Sequence, residues 1–308
     1  MSVLFQIIAA FGGGVFAASI GALPAFIMTG VFAVAGAVSG MAGSDAAGFL
    51  TGTMAFGPFF GPWVSFAGGV GAAAYAKKKG LNENGADIAT ACAKYGKADV
   101  LLMGGIFGVL GILLKLFVYD AIFNNGGSIY TIIANPKLVS DGGMVVFVSG
   151  IIARLAFGGK LKTSDKFISS GDALNTTITI GACYSLLVSA IYCLAAPAAE
   201  EAGWLDRLNG NFAVLIFGTA AVGLVFAEMG VAFTGCHHIV IIAAEAAVAS
   251  YGVAGPIGAL IVGTIFGTCA AILGDIEGNT INCGTDSHID NPAFAIFILA
   301  LVINLIFA

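Results

Sequence analysis

Charge is what this sequence has least of. Only 9% of its 308 residues are charged and 59% are hydrophobic, and the mean hydropathy is +1.00. A soluble globular domain usually has about 25% charged and about 45–50% apolar residues. Apolar runs of about 20 residues, the length that crosses about 30 Å of hydrocarbon, repeat along the chain without strand-like alternation. The composition therefore predicts an all-α polytopic membrane protein whose main partner is the lipid bilayer.

Sequence motifs of common enzymes are absent too. The chain has no HExxH sequence, no phosphate-binding loop and no GxSxG in a strand–turn–helix setting, so we expect neither an enzyme nor a cofactor. The net charge of −5 gives no reason to expect nucleic acid as a partner. The six cysteines lack CxxC spacing, which predicts small hydrophobic side chains rather than a metal site or disulfides.

About ten apolar runs are long enough to be membrane spans. We predict spans at 3–21, 24–42, 57–76, 99–119, 144–159, 174–197, 212–229, 231–251, 255–274 and 291–308. The segment 44–62 is apolar but interrupted by Gly and Pro. It is predicted either as a re-entrant loop or as a kinked helix entrance.

Lysine is concentrated in two loops. Residues 77–97 carry five lysines and residues 160–170 carry three. Because basic loops stay in the cytoplasm, we expect both loops inside, the N-terminus outside, and a multi-pass protein of the plasma membrane.

The two ends of the chain share landmarks in the same order. GPWVSFAGG at 61–69 resembles GPIGALIVG at 255–263, and PAFIMTG at 24–30 resembles VAFTG at 231–235. This pattern predicts two pseudo-symmetric four-span repeats, 1–120 and 211–308, joined by a linking pair at 121–210. Ten spans make the repeats parallel. The loop 275–290, with four acids and no Lys or Arg, favours an inverted second repeat instead.

The stretch TGCHHIVIIAAEAAV, at 234–248, places ionisable residues in an apolar run. Charged groups at membrane depth cost at least about 2.5–3.5 kcal/mol and mark functional sites. Residues seven apart nearly superpose on a helix, so His238 and Glu245 are predicted to share a stripe. With Glu228 and His237, they form a predicted transport path or ion-binding cluster. The alternative places the histidines at the helix entrance, bonded to headgroups or loops.

The loop 275–293 is the densest polar stretch, and Asp286 and Asp290 are predicted to lie at one mouth of the path. Its alternative is an ordinary solvated loop. A metal site of Cys236, His237 and His238 with Cys283, Asp286 or His288 is disfavoured because adjacent helical residues point about 100° apart. Lys115 and Arg154 lie near span ends, where snorkelling is the ordinary explanation.

These features favour a membrane transporter or channel for a small solute or ion, with coupling to protons or cations as one form of that function. Internal repeats are common in such proteins, and their sites lie at the repeat interface. A non-transporting scaffold or anchor subunit is the alternative, and an intramembrane enzyme is a third hypothesis. In either membrane role we expect a homo-oligomer or a larger membrane complex.

Overall fold

The computed structural model describes residues 2–123, 139–161, 164, 166–284 and 286–307. The fold is all-helical, with 78% of residues in helices and no strand among those described. Seven of the described helices are long and apolar enough to cross a membrane. The expected fold class is confirmed at this level, and the architecture is compatible with a multi-pass membrane protein.

The main helices are numbered along the chain. They are α1 Ser2–Ile20, α2 Ala22–Met41, α3 Ser65–Lys78, α4 Ala98–Phe123, α5 Asp141–Gly158, α6 Asp172–Glu201, α7 Leu205–Glu228, α8 His237–Thr280 and α9 Asn291–Phe307. Two further pieces are short: a π-helix at Phe49–Ala55, preceded by one turn at Ala46–Gly48, and a 3₁₀ helix at Cys92–Tyr95.

Helix α8 consists of two helices folded back on each other. At Gly255 the backbone has φ 66° and ψ −178°, a region that only glycine occupies readily, and Pro256 follows. A methyl group built at Gly267 would lie 2.9 Å from Cβ of Ala243, and one built at Gly263 would lie 3.1 Å from Cβ of Ala247. These pairs run in opposite order along the chain, so the two halves are antiparallel. They correspond to the predicted spans 231–251 and 255–274.

The stretch from Phe49 to Lys78 runs alongside α2 in the opposite direction. A methyl group at Gly36 would meet the backbone nitrogen of Thr51 at 2.8 Å, and one at Gly69 would meet Cα of Ala22 at 2.6 Å. The chain therefore passes along most of the length of α2 without turning back. The re-entrant loop and the kinked helix entrance both stay predictions for 44–62.

Residues 56–64 interrupt this stretch without a regular helix. The carbonyl of Phe60 accepts hydrogen bonds from the hydroxyls of Thr29, at 2.6 Å, and Ser65, at 3.0 Å. Trp63 and Val64 are buried. Unwound backbone survives at membrane depth where protein shields it, and here α2 and α3 supply both the shield and the hydrogen bonds.

Helices α1, α3 and α4 meet through glycine. A methyl group built at Gly14 would meet the carbonyl oxygen of Gly104, and one built at Gly68 would lie 2.9 Å from the same oxygen. Only residues without a Cβ allow three backbones to approach this closely, which is the way helices associate in lipid.

Helices α2 and α5 pack against the later helices α7 and α9. A methyl group built at Gly30 of α2 would lie 2.8 Å from the carbonyl oxygen of Gly218 of α7. One at Gly143 of α5 would lie 2.8 Å from the backbone nitrogen of Phe297 of α9. Helix α6 packs on the second half of α8. A methyl group built at Gly181 of α6 would lie 2.8 Å from Cβ of Ala271.

The lysine-rich loops and the acidic loop lie at one end of the molecule, here called the basic end. Lys77 Nζ is 3.2 Å from an oxygen of Asp286, and Lys78 donates to the carbonyl of Ala156 at 3.0 Å. The loop 281–290 has no Lys or Arg of its own, and Lys77 in the last turn of α3 forms an ion pair with its Asp286. Its acidity therefore does not place it at the opposite end.

The two Gly-Pro pairs that suggested a repeat occupy different settings. Gly61 and Pro62 are buried in the interruption beside α2, whereas Gly255 and Pro256 form the turn of α8, next to exposed Val253 and Ile257. The repeat, the count of ten spans and the units 1–120, 121–210 and 211–308 stay predictions.

We predict that Gly14→Ala destabilises the protein by about 1–3 kcal/mol, the usual cost of overpacking a tight contact. The added methyl group would strike the backbone of Gly104. The midpoint of thermal aggregation of the detergent-solubilised protein measures the loss.

Gly12→Ala is the matched control, since it lies in the same helix and a methyl group there meets no atom within 4 Å. Equal midpoints for the two variants would contradict the described packing of α1.

Candidate functional site

A cavity of about 770 Å³ lies in the middle of the fold. Its lining residues come chiefly from α2, the interrupted stretch before α3, α5, α7, the first half of α8, and α9. They fall in all three predicted parts of the chain, and the linking part 121–210 contributes α5 and Asn209.

Polar side chains line the cavity towards both of its ends. They are Thr51, Tyr119, Ser140, Asp141, Asn209, His237, Glu245, His288, Asp290, Asn291 and Asn304. His237, His288, Asp290 and Asn291 lie towards the basic end, because they adjoin the loop that Lys77 contacts. Asn209, near the start of α7, and Asn304, near the end of α9, lie towards the opposite end.

Phenylalanine forms much of the wall between these ends. Phe26, Phe56, Phe66 and Phe217 all line the cavity. The ring centroid of Phe26 lies 5.9 Å from that of Phe66 and 5.6 Å from that of Phe217. Edge-to-face contacts of this kind hold aromatic rings in fixed orientations. This part of the wall is therefore apolar.

His288 and Asp290 are paired at the basic end of the cavity. Their Nε2 and Oδ1 atoms are 3.0 Å apart, and the other oxygen of Asp290 accepts from the backbone N–H of Ala293 at 2.8 Å. Burial alone would raise the pKa of Asp290, but the hydrogen bond and charge of His288 and the charge of His237 hold it below its ordinary value. Asp290 is therefore a fixed negative charge at this end.

His237 lies among aromatic rings at the start of α8. Its ring centroid is 4.9 Å from that of Phe26 and 5.9 Å from that of Phe217. Its Nδ1 is buried without a hydrogen-bond partner among the described residues. The helix begins at this residue, as the alternative for the histidines expected, yet His237 and His238 are both buried in protein.

The stripe that α8 presents to the cavity is His237, Ile241, Glu245 and Val248. His238 is not among the lining residues, although it lies seven residues before Glu245 on the same helix. It packs towards the second half of α8, where a methyl group built at Gly274 would lie 3.0 Å from its Nε2.

Three of the six predicted site residues line the cavity: His237, Glu245 and Asp290. Glu228 lies at the exposed end of α7, outside the lining. Asp286 is also outside it, because its side chain pairs with Lys77 on the outer side of the loop. Together with His238, these two residues do not belong to the described cavity.

Arg154 is not a snorkelling residue. It is fully buried, with its Nε donating to the hydroxyl of Ser287 at 2.6 Å and its Nη2 to the carbonyl of Ser287 at 2.7 Å. Its Nη1 donates to the carbonyls of Ile281, at 3.3 Å, and Lys160, at 3.4 Å. The guanidinium therefore ties α5 to the loop that carries His288 and Asp290, and it acts as a positioning residue for the cavity.

Sequence reasoning missed Tyr119, Asp141, Asn209 and Asn304, which lie near span ends where polar residues are common. His288, in the acidic loop, was not among the predicted residues of the transport path. Glu277, one of the acids of the predicted loop 275–290, is buried on the second half of α8. Neither of its carboxyl oxygens has a hydrogen-bond partner in the described part of the chain.

Within the described residues, no group of three or more His, Cys, Asp and Glu could hold a metal ion.

We predict that Arg154→Gln destabilises the protein, because the carbonyls of Ile281 and Ser287 lose a buried donor. The expected loss is about 1–3 kcal/mol, the usual cost of leaving a buried polar group unsatisfied. Thermal unfolding of the purified protein measures the loss. Lys97→Gln removes the same charge from an exposed position and should leave the midpoint unchanged. Equal midpoints for both variants would contradict the role of Arg154.

The chain was compared with known proteins. A search of the curated proteins gave no match, and neither did a search of the solved structures. A family model described as a family of unknown function (DUF7973) matches residues 1–168 and 202–308. The residues between the two matched ranges include all of α6. Because the match covers most of the sequence, the chain belongs to this family of unknown function.

Proposed function

We propose that the protein is a membrane transporter or channel that moves a small solute or ion through the central cavity. The observation that carries this proposal is a cavity of about 770 Å³ inside a bundle of apolar helices, with polar side chains towards both ends. Such groups are expensive to keep at membrane depth and commonly mark solute or ion pathways.

The interruption at residues 56–64 supports the proposal. Broken helices line the substrate sites of many secondary transporters, because unwound backbone offers free polar groups. Here Phe56 and Pro62 of the interruption and Thr51 just before it all line the cavity. The same segment thus combines irregular backbone, burial in protein and access to the cavity.

His237 and Glu245 support coupling to protons or cations as part of the proposal. They lie on one stripe of α8, eight residues apart, which is about 12 Å along the axis at 1.5 Å per residue. An imidazole nitrogen can accept a hydrogen bond or a proton, and a carboxylate can hold a proton or a cation. Two such groups at successive depths suit a path with more than one binding step.

The proposal also assigns an orientation. The basic end carries Lys77, Lys78, Lys79 and Lys160, and such loops remain in the cytoplasm. We therefore propose residence in the cell membrane with the basic end inside. Assembly as a homo-oligomer or in a larger membrane complex stays a prediction.

We predict that liposomes containing the protein take up at least one solute of a small-molecule panel, or protons reported by internal pyranine, faster than empty liposomes. Glu245→Gln should slow this flux at least tenfold, because it removes the charge at the middle of the stripe. His237→Ala should also alter it.

Glu201→Gln, at the exposed end of α6, is the control and should leave flux unchanged. A properly folded protein that gives no flux above empty liposomes under either a pH gradient or a membrane potential would reject transport. That result would favour the scaffold alternative.

A further inference from the structure

Glu277 is a buried carboxyl group near the end of α8 that does not line the central cavity. We propose that Glu277 is a proton-binding site, with a carboxyl group that is neutral in the resting protein at pH 7. The ligand of this site is the proton itself. Because the site lies outside the cavity lining, the inference stands whether or not the protein moves a solute.

The helix turns Glu277 into the protein. Asp275 accepts hydrogen bonds from the backbone N–H and the hydroxyl of Ser169, at 2.8 and 2.6 Å, and Asn279 donates to the same hydroxyl at 3.2 Å. These two residues therefore share the face that meets the segment before α6. Successive helical residues point about 100° apart, so Glu277, midway between them, points to the opposite side. It is only 1% exposed there.

The carboxyl group of Glu277 has no partner at this position. Neither of its oxygens forms a hydrogen bond with any of the described residues. An ionised carboxylate that is buried without a partner costs far more free energy than a neutral acid, so such a group takes up a proton. Asp275, two residues earlier, has the opposite setting, since Ser169 supplies two donors to its oxygens.

The charges nearest Glu277 do not replace a partner. The strongest of them is that of Asp290, which has the same sign as an ionised Glu277, and the charges of Arg154 and Cys283 are weaker. The hydrogen bonds of Arg154 go to Ser287 and to two other backbone carbonyls instead. A proton on Glu277 therefore spares this end of the cavity a second negative charge beside Asp290.

The other elements packed on this part of α8 bring no bonded cation to Glu277. His238, from the first half of α8, packs against Gly274 one turn earlier and makes no hydrogen bond to Glu277. Helix α9 contributes the uncharged amide of Asn291, which donates to the carbonyl of Gly274 at 3.1 Å. The charged residue at the start of α6, Asp172, is exposed.

Infrared spectroscopy of the full chain in dodecyl maltoside at pH 7 tests the inference, because a neutral carboxylic acid has a C=O absorption that carboxylates and amides lack. We expect the spectrum of the wild type minus that of Glu277→Gln to contain this band, with the intensity of one carboxyl group per chain. Labelling the glutamates with ¹³C should shift the band in the wild-type protein. Asp275→Asn, on the same helix, is the matched control and should keep it.

A wild-type protein without a carboxylic acid band that responds to labelled glutamate would overturn the inference, and this measurement requires no variant to fold. Full retention of the band in Glu277→Gln would also overturn it, because another glutamate would then carry the proton. The band in a protein that gives no flux in liposomes would support the proton site and reject transport. Flux without the band would overturn the proton site and leave the transport proposal standing.

Discussion

Hydrocarbon offers no hydrogen-bond partner, so polar backbone at membrane depth is stable where the protein supplies partners or where it borders an internal space. The interruption before α3 meets this requirement through Thr29 and Ser65, which both donate to the carbonyl of Phe60. Arg154 meets it by donating to the hydroxyl of Ser287 and to three backbone carbonyls. These internal bonds let irregular backbone and a buried charge persist among apolar helices.

Close glycine contacts and the cavity are two results of the same arrangement. Where α1, α3 and α4 meet at Gly14, Gly68 and Gly104, the backbones leave no space. Where α2 and α7 approach α8 and α9, larger side chains such as Phe26 and Phe217 line the central cavity. His237 and Glu245 of α8 therefore meet a cavity rather than a packed backbone. Function, as we propose it, depends on this contrast.

Much of the fold could be predicted from hydropathy, because the cost of exposing polar backbone to lipid fixes the length of a span. The break at Gly255 and the irregular stretch 44–62 were both signalled by Gly-Pro pairs, whose backbone chemistry is local. The face that α8 turns to the cavity could not be predicted, since alanine, isoleucine and valine cover every side of it. The burial of Arg154 depends on Ser287, which lies far along the chain and has no local signature.

The central claim is that the first half of α8 presents His237, Ile241, Glu245 and Val248 to an internal aqueous space. It is tested most directly by thiol accessibility in a cysteine-free background, with a small water-soluble methanethiosulfonate applied to protein in nanodiscs. Ile241→Cys, Glu245→Cys and Val248→Cys should react. Ile239→Cys, Ile242→Cys and Ala246→Cys should stay unreactive, because these positions are at most 2% exposed. Equal reactivity at all six positions, or reaction confined to Ile242→Cys and its neighbours on that face, would contradict the account.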